Sequence, residues 1–370
     1  MKAPFGRSIL PVLLLALLPA MANAGLFDRF LSNKDDTQEE PEQQKHSHDS
    51  HSHGSHNHGS HDHSYASGEV RQLDAERPLP VLDEALTLPE PSSLQGSAFG
   101  KQAPSVLATI HPLGMVAASI VPMENLSVLI PAGMTPHDFS LKPSDIDRIL
   151  NADIILWSGP ASEPYMEGLA ARWPDKHWIS TAPEELEYPI QNPHWWLSPE
   201  LMKRVQTKLA GLLKVDTTPF NEQIDQVMAL SREQLAPVSD RGFLVFHNAY
   251  EHWVDAVGIK QLGVFTETPE HKPGLRGLNE KRAMIESGDV ACVFVEPEFS
   301  SDMVDKMLGD HPIPKGSLDA QGLNIPLSAN AYALFMLDLA ARASDCLTAV
   351  TDDGINEAIE SADSEVMLEH

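Results

Sequence analysis

The chain has 370 residues, enough for two ordinary domains, and its 42% hydrophobic and 6% aromatic content suits a globular protein with cores of its own. A formal net charge of −27 argues against nucleic acid or an anionic membrane surface as a partner, because phosphate binding needs clustered Lys and Arg. The same negative field favours cations, although it serves plain solubility equally well.

Residues 1–24 read as a cleavable signal peptide. Lys2 and Arg7 form a charged start, Ile9 to Leu18 is an apolar run too short to span a bilayer, and Ala22-Asn23-Ala24 is a small-residue cleavage site. No Cys follows the run, so a lipid anchor is not indicated. The expected product starts near Gly25 and works in an oxidising compartment, the periplasm. Residues 25–103 read as a flexible arm. It carries His46, His48, His51, His53, His56, His58, His61 and His63 among Ser, Gly, Asp and Asn, then an acidic stretch with Pro78, Pro80, Pro89 and Pro91. Too little apolar surface is present there to offset the entropy of ordering.

From residue 104 the pattern alternates. Strands are expected at 105–110, 127–130 and 153–158, with helices at 144–151, capped by Ser144, and 163–173. Ser198 can cap a helix whose first residue is Pro199, with apolar spacing at Leu201, Val205, Leu209 and Leu212. The pattern over 218–235 is helical but more polar, as in a solvent-exposed bridge. Alternation then resumes, with strands at 242–246, 261–265, 291–295 and 315–318. The helices of this second unit are 249–257, 275–286, 301–308 and 330–346. The expected fold is α/β: two lobes of parallel sheet, 104–217 and 239–350, joined through 218–238 and followed by an acidic tail, 351–370. Ligands of such sheets sit at the carboxyl ends of strands.

Three phrases each present one histidine, His247 directly after a strand and His137 and His194 in loops before helices: Thr135-Pro136-His137-Asp138, Asn192-Pro193-His194-Trp195 and Phe246-His247-Asn248. Neutral imidazole is a preferred Zn²⁺ ligand, and three with one further donor complete a tetrahedron. Asp138, Asn248 and Glu296 are candidates to orient the rings. His177, His271 and His311 read as surface residues, whereas His252 could lie near the cleft. Cys292 and Cys346 are the two cysteines; in an exported protein they read as one disulfide, the rival being a pair of metal-binding thiolates.

The ordered set of phrases resembles a known family, the metal-specific (cluster A-I) solute-binding proteins of ABC importers, and within it the periplasmic zinc-binding branch. The matching text runs from about 104 to 347. It includes Ala108-Thr-Ile-His-Pro-Leu-Gly114, Pro136-His-Asp-Phe-Ser-Leu-Lys-Pro-Ser-Asp145, Asn151-Ala-Asp-Ile-Ile-Leu-Trp-Ser-Gly159, Pro193-His-Trp-Trp-Leu-Ser-Pro199, Phe246-His-Asn-Ala-Tyr250 and Ser317-Leu-Asp-Ala-Gln-Gly-Leu-Asn-Ile325.

The resemblance implies two Rossmann-like lobes joined by one long rigid helix, 218–235, with the metal in the cleft. It implies His137, His194 and His247 as ligands, Asp319 or a water as the fourth, and a Cys292–Cys346 disulfide. It also implies Zn²⁺ as transported ligand and a membrane permease as partner of a monomer. The chain departs from the family's pattern twice. Pro136 stands where some members carry a carboxylate ligand, and the His-rich tract lies in the N-terminal arm, while 181–192 is short, acidic and without histidine. The alternatives are a zinc hydrolase, for which no His-Glu-x-x-His motif is present and Glu267, Glu270 and Glu298 are unplaced, or a zinc buffer without a permease.

Overall fold

In the computed structural model the described residues are 77–94, 103–131, 133–137, 139–183, 192–268 and 274–349. They fall within one compact unit, Tyr65–His370. The expected leader, the eight-histidine tract, Asp138, Glu270, His271 and the acidic tail lie outside them.

The first sheet is built from β1 (Val106–Ala108), β2 (Leu126–Val128), β3 (Ile154–Trp157) and β4 (His177–Ser180), in the order β2-β1-β3-β4. The second uses β5 (Gly242–His247), β6 (Lys260–Thr266), β7 (Val290–Val295) and β8 (Lys315–Ser317), in the order β6-β5-β7-β8. All pairings are parallel. The central strands β1, β3 and β5 are buried along their whole length, which is why they read as unbroken apolar runs.

Nine α-helices are present among the described residues. They are α1 (His111–Ala118), α2 (Pro143–Asn151), α3 (Pro164–Arg172), α4 (Pro199–Leu213), α5 (Thr218–Leu235), α6 (Glu251–Val257), α7 (Leu275–Glu286), α8 (Asp302–Leu308) and α9 (Ala331–Thr348). None is long and apolar enough to cross a membrane. At α4 the Ser198 hydroxyl accepts from the Leu201 N–H at 3.4 Å, a cap typically worth about 1 kcal/mol. Ser144 does not cap α2. The helix starts one residue earlier, at Pro143, and the Asp145 carboxylate takes the Lys142 N–H at 3.0 Å.

Two elements escaped the pattern. The α1 helix is buried on nearly every side, so it carries no apolar stripe. The strand β4 holds the exposed edge of its sheet, with His177 exposed and Ile179 buried, too few residues for an alternation to show.

The lobes do not have two separate cores. One cluster of buried side chains runs from Val106 and Ile154 in the first sheet through Leu209, Ile224 and Phe335 to Phe243 and Phe294 in the second. A smaller cluster, including Leu244, Phe265 and Val293, fills the other face of the second sheet. The helix α5 packs on α9, α4 and α6, and α9 also reaches α1, β7 and β8. Cys292 of β7 and Cys346 of α9 form a disulfide across this core. Gly316 lets α9 come this close, because a Cβ there would lie 2.8 Å from the Phe294 ring and 3.0 Å from Cys346 Cβ.

The expected arm extends less far than 103. Residues 77–94 dock on α5 and α9, where Arg77 pairs with Asp345. Asn330 brackets Leu88 by accepting its N–H at 2.7 Å and donating to its carbonyl at 3.0 Å. Gln223 donates to the Leu86 carbonyl at 2.7 Å. Leu79, Leu82 and Leu88 pack against the main core, and Leu94 is buried in it. Four prolines and an acidic composition made this stretch read as solvated, but its leucines recur between the prolines and find an apolar groove.

Candidate metal centre

Each residue of the site stands at or beyond the carboxyl end of a parallel strand. His137 stands in the loop after β2, and His194 in the loop after β4, just before a 3₁₀ turn at Trp195–Leu197. His247 is the last residue of β5, Glu296 and Glu298 follow β7, and Asp319 follows β8. The first sheet thus contributes two imidazoles and the second contributes one, as the expectation of a shared cleft required.

The rings converge by their Nε2 atoms. His137 Nε2 lies 3.2 Å from His194 Nε2, and His247 Nε2 lies 3.3 Å from it. One ligand atom from each ring lies within 4.8 Å of the others. Bonds of about 2.0–2.1 Å from one tetrahedral Zn²⁺ put neighbouring nitrogens about 3.3 Å apart, so the spacing matches a single ion. His194 and His247 are buried, at 2% and 4% exposure, and His137 is partly exposed.

Partners on the far side of two rings fix which nitrogen faces inward. The Asn192 Oδ1 accepts the backbone N–H of His194 at 3.0 Å, which settles the orientation of the carboxamide. The same oxygen lies 2.8 Å from His194 Nδ1, so Nδ1 carries the proton and Nε2 keeps its lone pair. Burial first, and then the neighbouring His247, His137 and His252, hold this imidazole well below its ordinary pKa, so it stays neutral and able to bind a cation. Behind His247, Nδ1 is 3.0 Å from Glu296 Oε1, a close polar contact that is not aligned as a hydrogen bond. His252 lies 3.0 Å from the Asn192 carbonyl by its Nε2, behind the site rather than in it. His111 meets the Ile325 carbonyl at 2.9 Å, in keeping with a structural role.

Of the three residues expected to orient the rings, Glu296 does face His247, while Asn248 acts at one remove: its Oδ1 accepts weakly from Asn192 at 3.4 Å, and its Nδ2 donates to Glu267 at 3.1 Å. The pattern missed Asn192, although its place two residues before His194 is that of a side chain turned onto nearby backbone.

Asp319, expected as the fourth donor unless a water takes that place, is not among the convergent groups of the described residues. Its Oδ1 accepts from the N–H groups of Gln321 and Gly322 at 2.7 and 2.8 Å, and its Oδ2 from Leu323 at 2.7 Å. The carboxylate ties down its own loop, which turns at Gly322 with φ +61°. Burial raises its pKa, against the pull of those three N–H groups and Arg342. Glu298, by contrast, lines the small cavity that holds the three imidazoles, together with Glu296 and Gln321. Burial, then the charges of Asp319 and Glu296, push its carboxyl up to about 7. Three convergent imidazoles, with His194 held neutral, beside this group of carboxylates make a pocket whose electrostatics suit a dication.

The comparisons agree with the geometry. The family description "ZnuA: Zinc-uptake complex component A periplasmic" matches residues 106–336. A relative from Yersinia pestis named "High-affinity zinc uptake system protein ZnuA" is 28% identical over 318 residues, covering 72% of this chain and 96% of that protein. A protein of the same name from Haemophilus influenzae is 27% identical over 311 residues, with 65% and 92% covered. Relatives so named are uptake proteins, not enzymes.

Among solved structures, a zinc-bound ZnuA deletion mutant superposes with a TM-score of 0.56 at 21% identity, covering 67% of this chain and all of that one. The periplasmic zinc-binding protein TroA from Treponema pallidum gives 0.58 at 19%, with the same coverage. These two speak for the fold. With three imidazoles converging at the strand ends of two parallel sheets and a family match across both lobes, the chain belongs to the ZnuA family, the periplasmic component A of zinc-uptake complexes.

Proposed function

We propose that this protein binds Zn²⁺ through His137, His194 and His247 and delivers it to the membrane permease of an ABC importer. The convergence of the three Nε2 atoms at 3.2 and 3.3 Å carries the reading. Imidazole as the third ligand, where a carboxylate would suit manganese better, favours zinc. The protein acts as a periplasmic monomer after removal of residues 1–24, with lobes at 104–217 and 239–350. The imidazoles at 46–63 act as weak, fast-exchanging accessory ligands that raise the local zinc concentration.

The test is growth in zinc-depleted medium. A strain lacking the protein grows poorly, recovers with the intact gene, and does not recover with His137→Ala or His247→Ala. Normal growth of the deletion strain would favour a buffer with no permease. Zinc-dependent turnover of model esters or peptides by the purified protein would favour a hydrolase.

A further inference from the structure

We propose that Glu298, rather than Asp319, supplies the fourth donor to the cation held by the three imidazoles. The inference rests on the zinc-site reading above and names the ligand that completes it. Pro136 leaves no carboxylate before the first histidine. The carboxylates that line the cavity, among the described residues, are Glu296 and Glu298.

Glu296 sits against the far nitrogen of His247, although neither of its oxygens has an aligned hydrogen bond. It stands at 3.0 Å from His247 Nδ1, on the side of the ring opposite the Nε2 that faces the other imidazoles. Asp319 has both oxygens engaged by three backbone N–H groups, and recruiting it would leave those donors without an acceptor in a buried loop. Glu298 carries no such commitment at Oε1, which is buried and has no hydrogen-bond partner.

Charge points the same way. Three neutral imidazoles leave both positive charges of the ion in a buried cavity, and one carboxylate in direct contact offsets half of that. The Glu298 oxygens lie outside the 4.8 Å cluster of imidazole nitrogens, so the carboxylate joins through a rotamer change of a long, half-buried side chain.

The test uses the full mature chain, with zinc affinity measured by competition against a chromophoric chelator tight enough to report the strongest site alone. Glu298→Gln and Glu298→Ala should each weaken that site more than about tenfold. The Co²⁺-substituted protein should show a shifted visible ligand-field spectrum in both Glu298 variants. Melting of the metal-free forms should be unaltered by the Glu298 changes. Affinity within threefold of the parent with an unchanged Co²⁺ spectrum in the Glu298 variants would overturn the assignment while leaving the triad intact, provided His137→Ala has lost the site. Tight binding that survives His137→Ala and His247→Ala would remove the triad itself, and this inference with it.

Discussion

His194 shows how a ring that could hold a metal depends on a neighbour for its orientation. The ring offers Nε2 to the cavity because Asn192 Oδ1 takes the proton on Nδ1 and is itself held by the His194 backbone N–H. Asn192→Ala should therefore weaken zinc binding by about 10- to 100-fold through loss of ring orientation, without removing a ligand. Calorimetry on the mature protein checks this, and an unchanged Kd would mean that the neighbouring Trp196 ring, 5.0 Å away, suffices to position the imidazole.

A second buried group makes a prediction about pH. Glu163 is fully buried and accepts from Thr109 Oγ1 at 2.8 Å, from Ser158 N at 2.5 Å and Oγ at 2.6 Å, and from Tyr165 Oη at 3.0 Å. Burial outweighs these four donors and raises its pKa. A raised folded-state pKa contributes stability that is full below the unfolded value, about 4.3, and is lost as pH rises through the folded value. Wild type should thus lose ground to Glu163→Gln as pH rises from 4 upward, measured by urea unfolding at several pH values. A stability difference that does not change with pH would contradict the assignment. The three histidines were legible in the sequence because each stands in a distinctive phrase. The parts played by Asn192 and Glu163 were not, because side-chain direction within a loop leaves no periodic trace.

Among the elements, β7 and α9 form the joint of the second lobe. The disulfide links Cys292 on the strand to Cys346 on the helix, at a sequence separation of 54, and both cysteines are fully buried. On the chain-entropy model, closing a loop of that length contributes roughly 4 kcal/mol. Replacing both cysteines by Ser should lower unfolding free energy by about that amount or somewhat more, since two hydroxyls are then buried. Guanidinium denaturation reads this directly, and a loss below about 1 kcal/mol would mean that packing alone holds β7 to α9. Helices with a one-sided apolar stripe and buried central strands were readable from sequence, and so was their alternation. The fully buried α1 and the short edge strand β4 were not, because each lacks the contrast between faces on which such reading depends.

At the scale of the whole molecule, the stretch 77–94 belongs to the folded body. Its leucines enter the main core, and Asn330 and Gln223 bind its backbone. A chain starting at residue 95 should be less stable than one starting at 77 by on the order of 3 kcal/mol, the burial of several leucines less the cost of ordering them. Thermal melts of the two truncations compare them, and equal melting temperatures would contradict the docking. Composition alone hid this, because a few well-placed leucines in an acidic, proline-rich segment weigh little in an average. The continuous core was equally hidden, since alternation of elements announces two sheets but does not say that α5 and α9 fuse the space between them.

The most direct test of the metal centre is calorimetric titration of the metal-free mature protein with Zn²⁺, beside His137→Ala, His194→Ala, His247→Ala and a deletion of residues 46–63. One tight site per chain, lost in each histidine variant and kept in the deletion, is the predicted result. Tight binding that survives all three substitutions, or that disappears with 46–63 alone, would contradict a zinc centre between the two sheets.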